Sequence, residues 1–225
     1  MTQTVTLWSA TVRDRTLILS FPEPYFVISW APLNGGLLQA RSILNHQVLT
    51  NAYPSMDPAS FLLTLARRLE VPAPVVGLMT GVLMERLVRR TIRQDSLLLE
   101  CFATVGLSNA LTVGEPATYD EKPGTINLLV ALNQPLTEAA LVEAVAMITE
   151  AKTRSLFDAG VKSTLSTTPA TGTGTDCVAI ACPQGETKYR YCGKHTLLGE
   201  LLGRVVYEAM IEGLWKARAT ENREN

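Results

Sequence analysis

The order of short apolar segments and long amphipathic segments is the feature that most constrains the fold of this 225-residue chain. Segments 4–9, 15–21 and 25–30 predict a β-meander, with a turn at Pro22-Glu-Pro24 before its third strand. Further strands are predicted at 75–84, 97–105, 125–132, 177–182 and 188–192, the last two as a hairpin. Hairpins outnumber crossover units, which favours an α+β fold: a mixed, largely antiparallel β-sheet with helices packed against it, in a single domain over residues 1–219. Residues 220–225 are expected to form a polar, solvated tail.

Three helices are predicted between and after these strands. Asp57 supplies the N-cap and Pro58 the first turn of a helix that ends near Leu69. Thr137 caps a second helix that runs to about Ala159, and Thr196 caps the last helix, which ends near Ala217. Residues 45–53 look like irregular surface chain. Residues 85–93 fit either a helix or a strand, and a hairpin that turns at 94–96 is the favoured alternative.

Composition excludes several classes of function. Apolar residues make up 47% of the chain and charged residues 18%, which rules out a disordered protein. A formal net charge of −1 gives no basic excess for a nucleic acid partner. No stretch approaches the ~18 consecutive apolar residues of a membrane-spanning helix, and the N-terminus has no signal-peptide pattern. The sequence therefore predicts a cytoplasmic protein with no nucleic acid and no membrane as partner, and it leaves a homo-oligomer open.

The cysteines and histidines do not form a pattern that binds metal. Cys101, Cys177, Cys182 and Cys192 lie in or beside apolar segments rather than in CxxC pairs, so buried free thiols are predicted. His46 and His195 are the only histidines in the sequence. We therefore predict no metal site.

The second predicted helix carries a lysine on its apolar side. Leu141, Ile148 and Leu156 recur on one stripe, and Lys152 falls on the same stripe at 100° per residue. Its ammonium group either extends past its apolar neighbours to water or points at a carboxylate or a ligand. Glu150 lies on the opposite face, where the simplest role is an ion pair with Arg154.

The most unusual segment is Ala170-Thr-Gly-Thr-Gly-Thr-Asp176, directly before a predicted strand. Glycine lets a backbone approach a ligand closely, and exposed N–H groups can hold an anion or a developing oxyanion. The segment lacks the GxxxxGK[ST] pattern of a P-loop. The alternative interpretation is a flexible Gly/Thr linker within the predicted long loop 163–175.

Three shorter segments carry polar side chains at the ends of predicted elements. Gly193-Lys194-His195-Thr196 lies at the start of the last helix, where a neutral histidine could act as a general base or merely hydrogen-bond a turn. Gly106-Leu-Ser-Asn109-Ala and Gly124-Thr-Ile-Asn127 each read as a turn signal when taken alone.

Taken together and in this order, these segments resemble the adenosylcobinamide amidohydrolase family. The resemblance covers roughly residues 25–212, including Asn34-Gly35-Gly36 with Asn45 and the run Gly193-Lys-His-Thr-x-x-Gly-Glu200; the block 170–176 is its most specific part. It implies hydrolysis of the amide that joins the aminopropanol arm to the corrin ring of adenosylcobinamide, giving adenosylcobyric acid in corrinoid salvage. Cobalt and the adenosyl group belong to this corrinoid substrate, so no separate cofactor is implied.

The site residues expected on this basis fall into two sets. His195 is expected to activate water, oriented by Asp176, with Lys194 or Lys152 stabilising charge; a nucleophilic Thr or Ser with Lys as base is the competing scheme. The expected substrate-binding residues are Asn109, Asn127, Glu150, Thr171, Gly172, Thr173, Gly174 and Thr175. Two other functions stay open: a corrinoid or nucleotide carrier or sensor without turnover, and an amidohydrolase acting on another amide.

Overall fold

The computed structural model describes residues 7–48, 57–117 and 124–224, with side chains described to residue 219. Its ten strands are β1 Ser9–Arg13, β2 Thr16–Ser29, β3 Gly36–Gln47, β4 Val75–Thr80, β5 Val88–Gln94, β6 Leu97–Val105, β7 Ala110–Leu111, β8 Ile126–Leu132, β9 Gly172–Thr173 and β10 Cys177–Cys182. The helices are α1 Pro58–Arg68, α2 Glu138–Asp158 and α3 Leu197–Glu224, with a short 3-10 helix at Met84–Arg86.

Eight strands form one mixed sheet in the order β4-β3-β2-β10-β8-β6-β5, with β1 paired to β2. The pairs β3–β4 and β8–β10 are parallel, and the other neighbours in this sheet are antiparallel. The short strands β7 and β9 form a separate antiparallel pair. The predicted fold class, α+β with a largely antiparallel mixed sheet, is therefore confirmed.

The sheet folds over itself, so that its two halves face each other. Leu19 of β2 and Ile43 of β3 cluster with Phe102 and Leu129 of β6 and β8, although β2 and β3 are not their hydrogen-bonded neighbours. The register of β2 against β3 shifts between Ser20 and Tyr25, which marks a β-bulge or similar irregularity in this pair. The inner faces of the two halves thus bury one apolar layer between them.

The helices cover the two outer faces of this folded sheet. Helices α2 and α3 pack on β5, β6, β8 and β10, and the cluster between them includes Ile148, Leu202 and Val130. Helix α1 packs on the other half, where Leu62 and Leu65 meet Ile18 and Leu44. The result is a helix–sheet–sheet–helix arrangement, and α2 is the helix that reaches the site described below.

The predicted starts of all three helices are confirmed by their caps. The side chain of Asp57 accepts a hydrogen bond from Ser60 N, and that of Thr137 accepts one from Ala140 N. Thr196 accepts one from Gly199 N at 2.9 Å. These bonds satisfy N–H groups that have no partner inside the helix.

The favoured hairpin for residues 85–93 is confirmed for most of this range. Strand β5 pairs with β6 through a turn at Asp95, so these residues are mainly strand.

Two predictions about the N-terminal half are wrong. The prolines at 22 and 24 do not separate two strands, because they lie inside β2 at its register irregularity, where a missing N–H is tolerated. Asn45, His46 and Gln47 are not surface chain but the buried end of β3. Their side chains find buried partners: His46 Nδ1 lies 2.8 Å from Thr16 Oγ1, and Gln47 accepts from Met84 N at 2.8 Å. Residues 49–53 of that segment and 4–6 of the first predicted strand lie outside the described residues.

Two predictions about the C-terminal part are also wrong. Residues 188–192 are not a hairpin strand: their ladder contact is a single bridge between Tyr189 and Leu136, and Tyr191 is exposed rather than packed. Helix α3 does not end near Ala217 but at Glu224, because residues 218–224 contain no glycine or proline that would stop it.

Burial of the four cysteines as free thiols is confirmed. Among the helices of the described residues, none combines the length and the apolar character needed to cross a membrane.

Candidate active site

A nearly buried ion pair between Lys152 and Asp176 forms the centre of the candidate site. Helix α2 carries Lys152 on the side it packs against the protein, between the buried Ile148 and Leu156. Asp176 directly precedes β10. The Lys152 ammonium contacts Asp176 Oδ2, and the two side chains are only 9% and 10% exposed. Of the two sequence alternatives for Lys152, the structure therefore selects the one in which it points at a carboxylate.

The carboxylate of Asp176 also accepts hydrogen bonds from Thr173, in its own segment, and from Ile126 at the start of β8. Its Oδ1 accepts from Thr173 N at 3.0 Å, from the Thr173 hydroxyl, and from Ile126 N at 3.2 Å. Asp176 thus joins α2, the first residue of β8 and the 171–176 segment. Several donors on one carboxylate hold it in one orientation.

Gly172 lies directly against this ion pair. A Cβ at this position would stand 2.3 Å from Asp176 Oδ2 and 2.7 Å from Lys152 Nζ. Real Cβ atoms do not approach other atoms so closely, so a side chain at residue 172 would have to move the pair. Gly172 is therefore the glycine of the Ala170–Asp176 block that lets the backbone approach the charged groups closely.

The 163–176 segment is fastened along its length and is not a flexible linker. The Glu115 carboxylate accepts hydrogen bonds from Ser163, Ser166 and Thr168, and these bonds lower the pKa of Glu115 to about 2. Strand β9 pairs with β7. The Thr175 hydroxyl lies 2.7 Å from that of Thr125 and donates to Gly124 O at 2.9 Å. The Glu115 anchor was not anticipated from the sequence, where Glu115 is one acidic residue in a turn.

Asn109 adds a buried amide with unused hydrogen-bonding capacity beside this segment. Asn109 is 6% exposed, and its Oδ1 has no hydrogen-bond partner in the part of the chain that the structure describes. Gly124 packs against this oxygen, and Gly174 lies beside the amide nitrogen. An acceptor without a partner is costly when buried, and this oxygen has no accessible surface, so it is an unsatisfied polar atom of the protein interior.

Asn127, which was also expected to bind substrate, lies away from the ion pair. It points between the two halves of the sheet, where its amide donates to Asn45 Oδ1 at 2.9 Å and to Met79 O at 2.8 Å. Asn45 in turn donates to Thr104 at 3.1 Å. These bonds join the two sheet halves, a structural task that the sequence did not suggest.

Glu150, Lys194 and His195 form a second group on the outer surface. Lys194 pairs with Glu150 across exposed side chains, at a cleft of about 420 Å³ between α2 and α3 that neither Lys152 nor Asp176 lines. His195 is exposed, and within the described residues no contact joins it to Asp176. The expected orientation of His195 by Asp176 is therefore not found. The segment that carries Lys194 and His195 is held further towards the start of α2 than Asp176 is. Cys192 N donates to Glu143, which lies about two and a half turns before Lys152.

The buried thiol next to the ion pair is not an activated nucleophile. Burial raises the pKa of Cys177 to about 12, and the negative charge of Asp176 acts in the same direction. A thiol is nucleophilic as its thiolate, so Cys177 is inert at neutral pH. Among the described residues, the groups in contact with the pair that can attack or transfer a proton are the Thr173 hydroxyl and the two charged side chains themselves.

The sequence profile described as adenosylcobinamide amidohydrolase matches residues 2–222 of this chain. A protein named adenosylcobinamide amidohydrolase from Methanosarcina mazei is 30% identical over 212 residues, covering 90% of this chain and 96% of that protein. An uncharacterized protein from Methanocaldococcus jannaschii is 27% identical over 224 residues, covering 90% and 86%. Among solved structures, the PH0078 protein from Pyrococcus horikoshii OT3 aligns with 92% of this chain and 83% of its own at 12% identity and a TM-score of 0.45, a likeness too distant to bear on function. This chain belongs to the adenosylcobinamide amidohydrolase family.

Proposed function

We propose that this chain hydrolyses the amide between the aminopropanol arm and the corrin ring of adenosylcobinamide, giving adenosylcobyric acid and aminopropanol. The observation that carries the proposal is the convergence of the family-like segments: Asn109, Gly124, Lys152 and the 171–176 block meet around one nearly buried ion pair. In this proposal the enzyme works in corrinoid salvage in the cytoplasm. Cobalt and the adenosyl group arrive with the substrate, and no separate cofactor takes part.

The first half of the reaction uses Thr173, Asp176 and Lys152. The Thr173 hydroxyl already donates to Asp176 Oδ1, so its proton can pass to the carboxylate while Oγ1 attacks the amide carbon. The carbonyl oxygen becomes an oxyanion, which the Lys152 ammonium stabilises in a largely water-excluded position. The C–N bond then breaks, and the departing aminopropanol nitrogen takes the proton held by Asp176.

The second half releases the acid. The corrin acyl group is now an ester of Thr173, and a water molecule attacks its carbonyl carbon while Asp176 accepts the water proton. The ester C–O bond breaks, the proton returns to Thr173 Oγ1, and adenosylcobyric acid leaves with one oxygen from water. In this mechanism Thr173 is the nucleophile, Asp176 is the base, and Lys152 is held in place by Asp176. It differs from the competing scheme in the sequence analysis, where a lysine is the base.

Recognition of the substrate rests on neutral polar groups. A corrin is large, flat and fringed with amides, and such a ligand is complemented by hydrogen-bonding groups without net charge. In this proposal Asn109, whose amide nitrogen lies beside the exposed Gly174, supplies one such group. Gly174 and Thr175 are exposed beside it and leave room for a ligand at the surface.

The test is a product assay with purified protein. Adenosylcobinamide is incubated with the enzyme in the dark, the corrinoids are separated by chromatography, and free aminopropanol is quantified. We expect equal amounts of adenosylcobyric acid and aminopropanol, increasing with time. Corrinoid that stays bound to the protein while no aminopropanol appears would favour a carrier or sensor, and neither binding nor turnover would indicate another amide as substrate.

Thr173 and His195 give a matched pair of variants for the mechanism. Thr173→Val removes the hydroxyl at nearly constant volume, and we expect turnover to fall by more than about 1,000-fold. Thr173→Ser keeps a hydroxyl and is expected to retain measurable turnover. His195→Ala is expected to stay within about threefold of wild type, because His195 is exposed and away from the ion pair. Steady-state rates from the product assay decide: an active Thr173→Val with an inactive His195→Ala would support the histidine scheme instead.

A further inference from the structure

Trp30 is a large apolar side chain placed at the edge of the candidate site. It directly follows β2, and half of its surface (50%) is exposed. Its indole N–H donates to the backbone carbonyl of Asp176, the residue that pairs with Lys152. The ring therefore lies next to the catalytic segment and is oriented by a hydrogen bond to it.

The connection that carries Trp30 is held firmly against the neighbouring strand. Leu33 and Gly77 exchange two backbone hydrogen bonds, at 3.1 and 3.0 Å. The Asn34 side chain donates to Val75 O at 2.8 Å, and Asn34 adopts a positive φ of 55°. A Cβ on Gly35 would stand 2.6 Å from Ala31 O, so this turn closes onto the residue after Trp30. The Asn34-Gly35-Gly36 segment thus holds the backbone that directly follows Trp30 in one conformation.

A rigid, half-exposed indole beside a site is suited to a flat, largely apolar ligand. An exposed tryptophan leaves apolar area in contact with water, and covering one face of its ring with a planar ligand removes that area. Little conformational freedom is lost on binding, because the ring and its loop are already fixed. On the same edge Gly174 and Thr175 are exposed, so a ligand lying on Trp30 can reach the 171–176 segment.

We infer that Trp30 is the platform on which the planar macrocycle of the substrate rests, beside the segment that carries Thr173. This inference rests on the proposed function, and it adds a substrate-binding residue to it. Trp30 takes no part in bond making or breaking. Its contribution is made equally in the ground state and the transition state, which predicts an effect on KM rather than on kcat.

The test compares Trp30 variants by kinetics and by direct binding. Trp30→Ala is expected to raise KM about 10- to 30-fold with kcat within about threefold, and Trp30→Phe, which keeps a flat ring, to raise KM about threefold. Trp215→Ala is the matched control, because Trp215 is 70% exposed on α3 and is expected to leave both constants unchanged. Thermal melting verifies that each variant is folded, and Trp30→Phe keeps the test valid should Trp30→Ala not fold.

Binding is measured without turnover by equilibrium dialysis of adenosylcobinamide against Thr173→Val protein. Adding Trp30→Ala to this protein is expected to raise Kd about 10- to 30-fold. Unchanged KM and Kd in a folded Trp30→Ala protein would overturn the platform while leaving the proposed function in place, as would a fall in kcat alone. Wild-type protein that neither binds nor hydrolyses adenosylcobinamide would overturn both.

Discussion

Replacing Lys152 by Met is expected to lower the free energy of unfolding by about 3–5 kcal/mol and to reduce turnover by at least about 100-fold. The stability loss follows because Asp176, only 10% exposed, would be left buried without its charged partner. The activity loss follows because the ammonium that stabilises the oxyanion is gone. Chemical denaturation gives the first quantity, and the rate of aminopropanol release gives the second.

Two further variants separate burial of charge from catalysis. The double variant Lys152→Met with Asp176→Asn carries no buried charge, so it is expected to recover part of the lost stability but none of the activity. Lys194→Met is the matched single control: its pair with Glu150 has side chains 64% and 56% exposed, so stability is expected to change by less than about 1 kcal/mol. A Lys152→Met protein with wild-type turnover would show that the ion pair is purely structural.

Replacing Gly172 by Ala is expected to reduce turnover by about 100-fold or more and to lower the free energy of unfolding by about 1–3 kcal/mol. The added methyl group would stand 2.3 Å from Asp176 Oδ2, so the carboxylate has to move away from Lys152 and Thr173. A displacement of this size moves the base relative to the hydroxyl that it serves. Initial rates and denaturation midpoints of the purified variant measure both effects.

Gly174→Ala, two residues further along, is the control for this substitution. Among the described residues its Cβ would meet Leu111 and Asn109, at 3.5 and 3.7 Å, which are ordinary contacts. Stability is therefore expected to stay within about 0.5 kcal/mol of wild type. Equal losses of activity in both alanine variants would point to a general need for flexibility in the 171–176 segment rather than to contact between Gly172 and the pair.

The features that follow from local pattern could be predicted from the sequence. Helical periodicity places Lys152 on the packed side of α2, and capping residues fix where the helices begin. The Gly/Thr composition before β10 marks the 171–176 block, and the structure places it against the ion pair. These inferences depend on residues within one or two turns of each other, where spacing determines position.

The features that depend on the folding of the sheet could not be predicted. His195 and Asp176 both lie in segments that resemble the family, but nothing in the sequence gives the distance between them. In the structure the segment before His195 contacts α2 at Glu143, whereas Asp176 contacts α2 at Lys152. Polar residues such as Asn45 suggest surface chain, yet Asn45 lies between the two sheet halves, where it donates to Thr104 and accepts from Asn127. Trp30 was not recognised as a site residue, because only the folded chain shows its ring beside Asp176.

The most direct test of the central claim is a single-turnover reaction of adenosylcobinamide with excess enzyme in ¹⁸O-labelled water. Mass spectrometry of the corrinoid product, with wild-type and Lys152→Met proteins run in parallel, shows whether the amide is hydrolysed and whether the ion pair is required. We expect adenosylcobyric acid that carries one ¹⁸O atom, with one equivalent of aminopropanol, from the wild-type protein and almost none from the variant. Unchanged adenosylcobinamide with the wild-type protein, or equal labelled product from both proteins, would contradict the account.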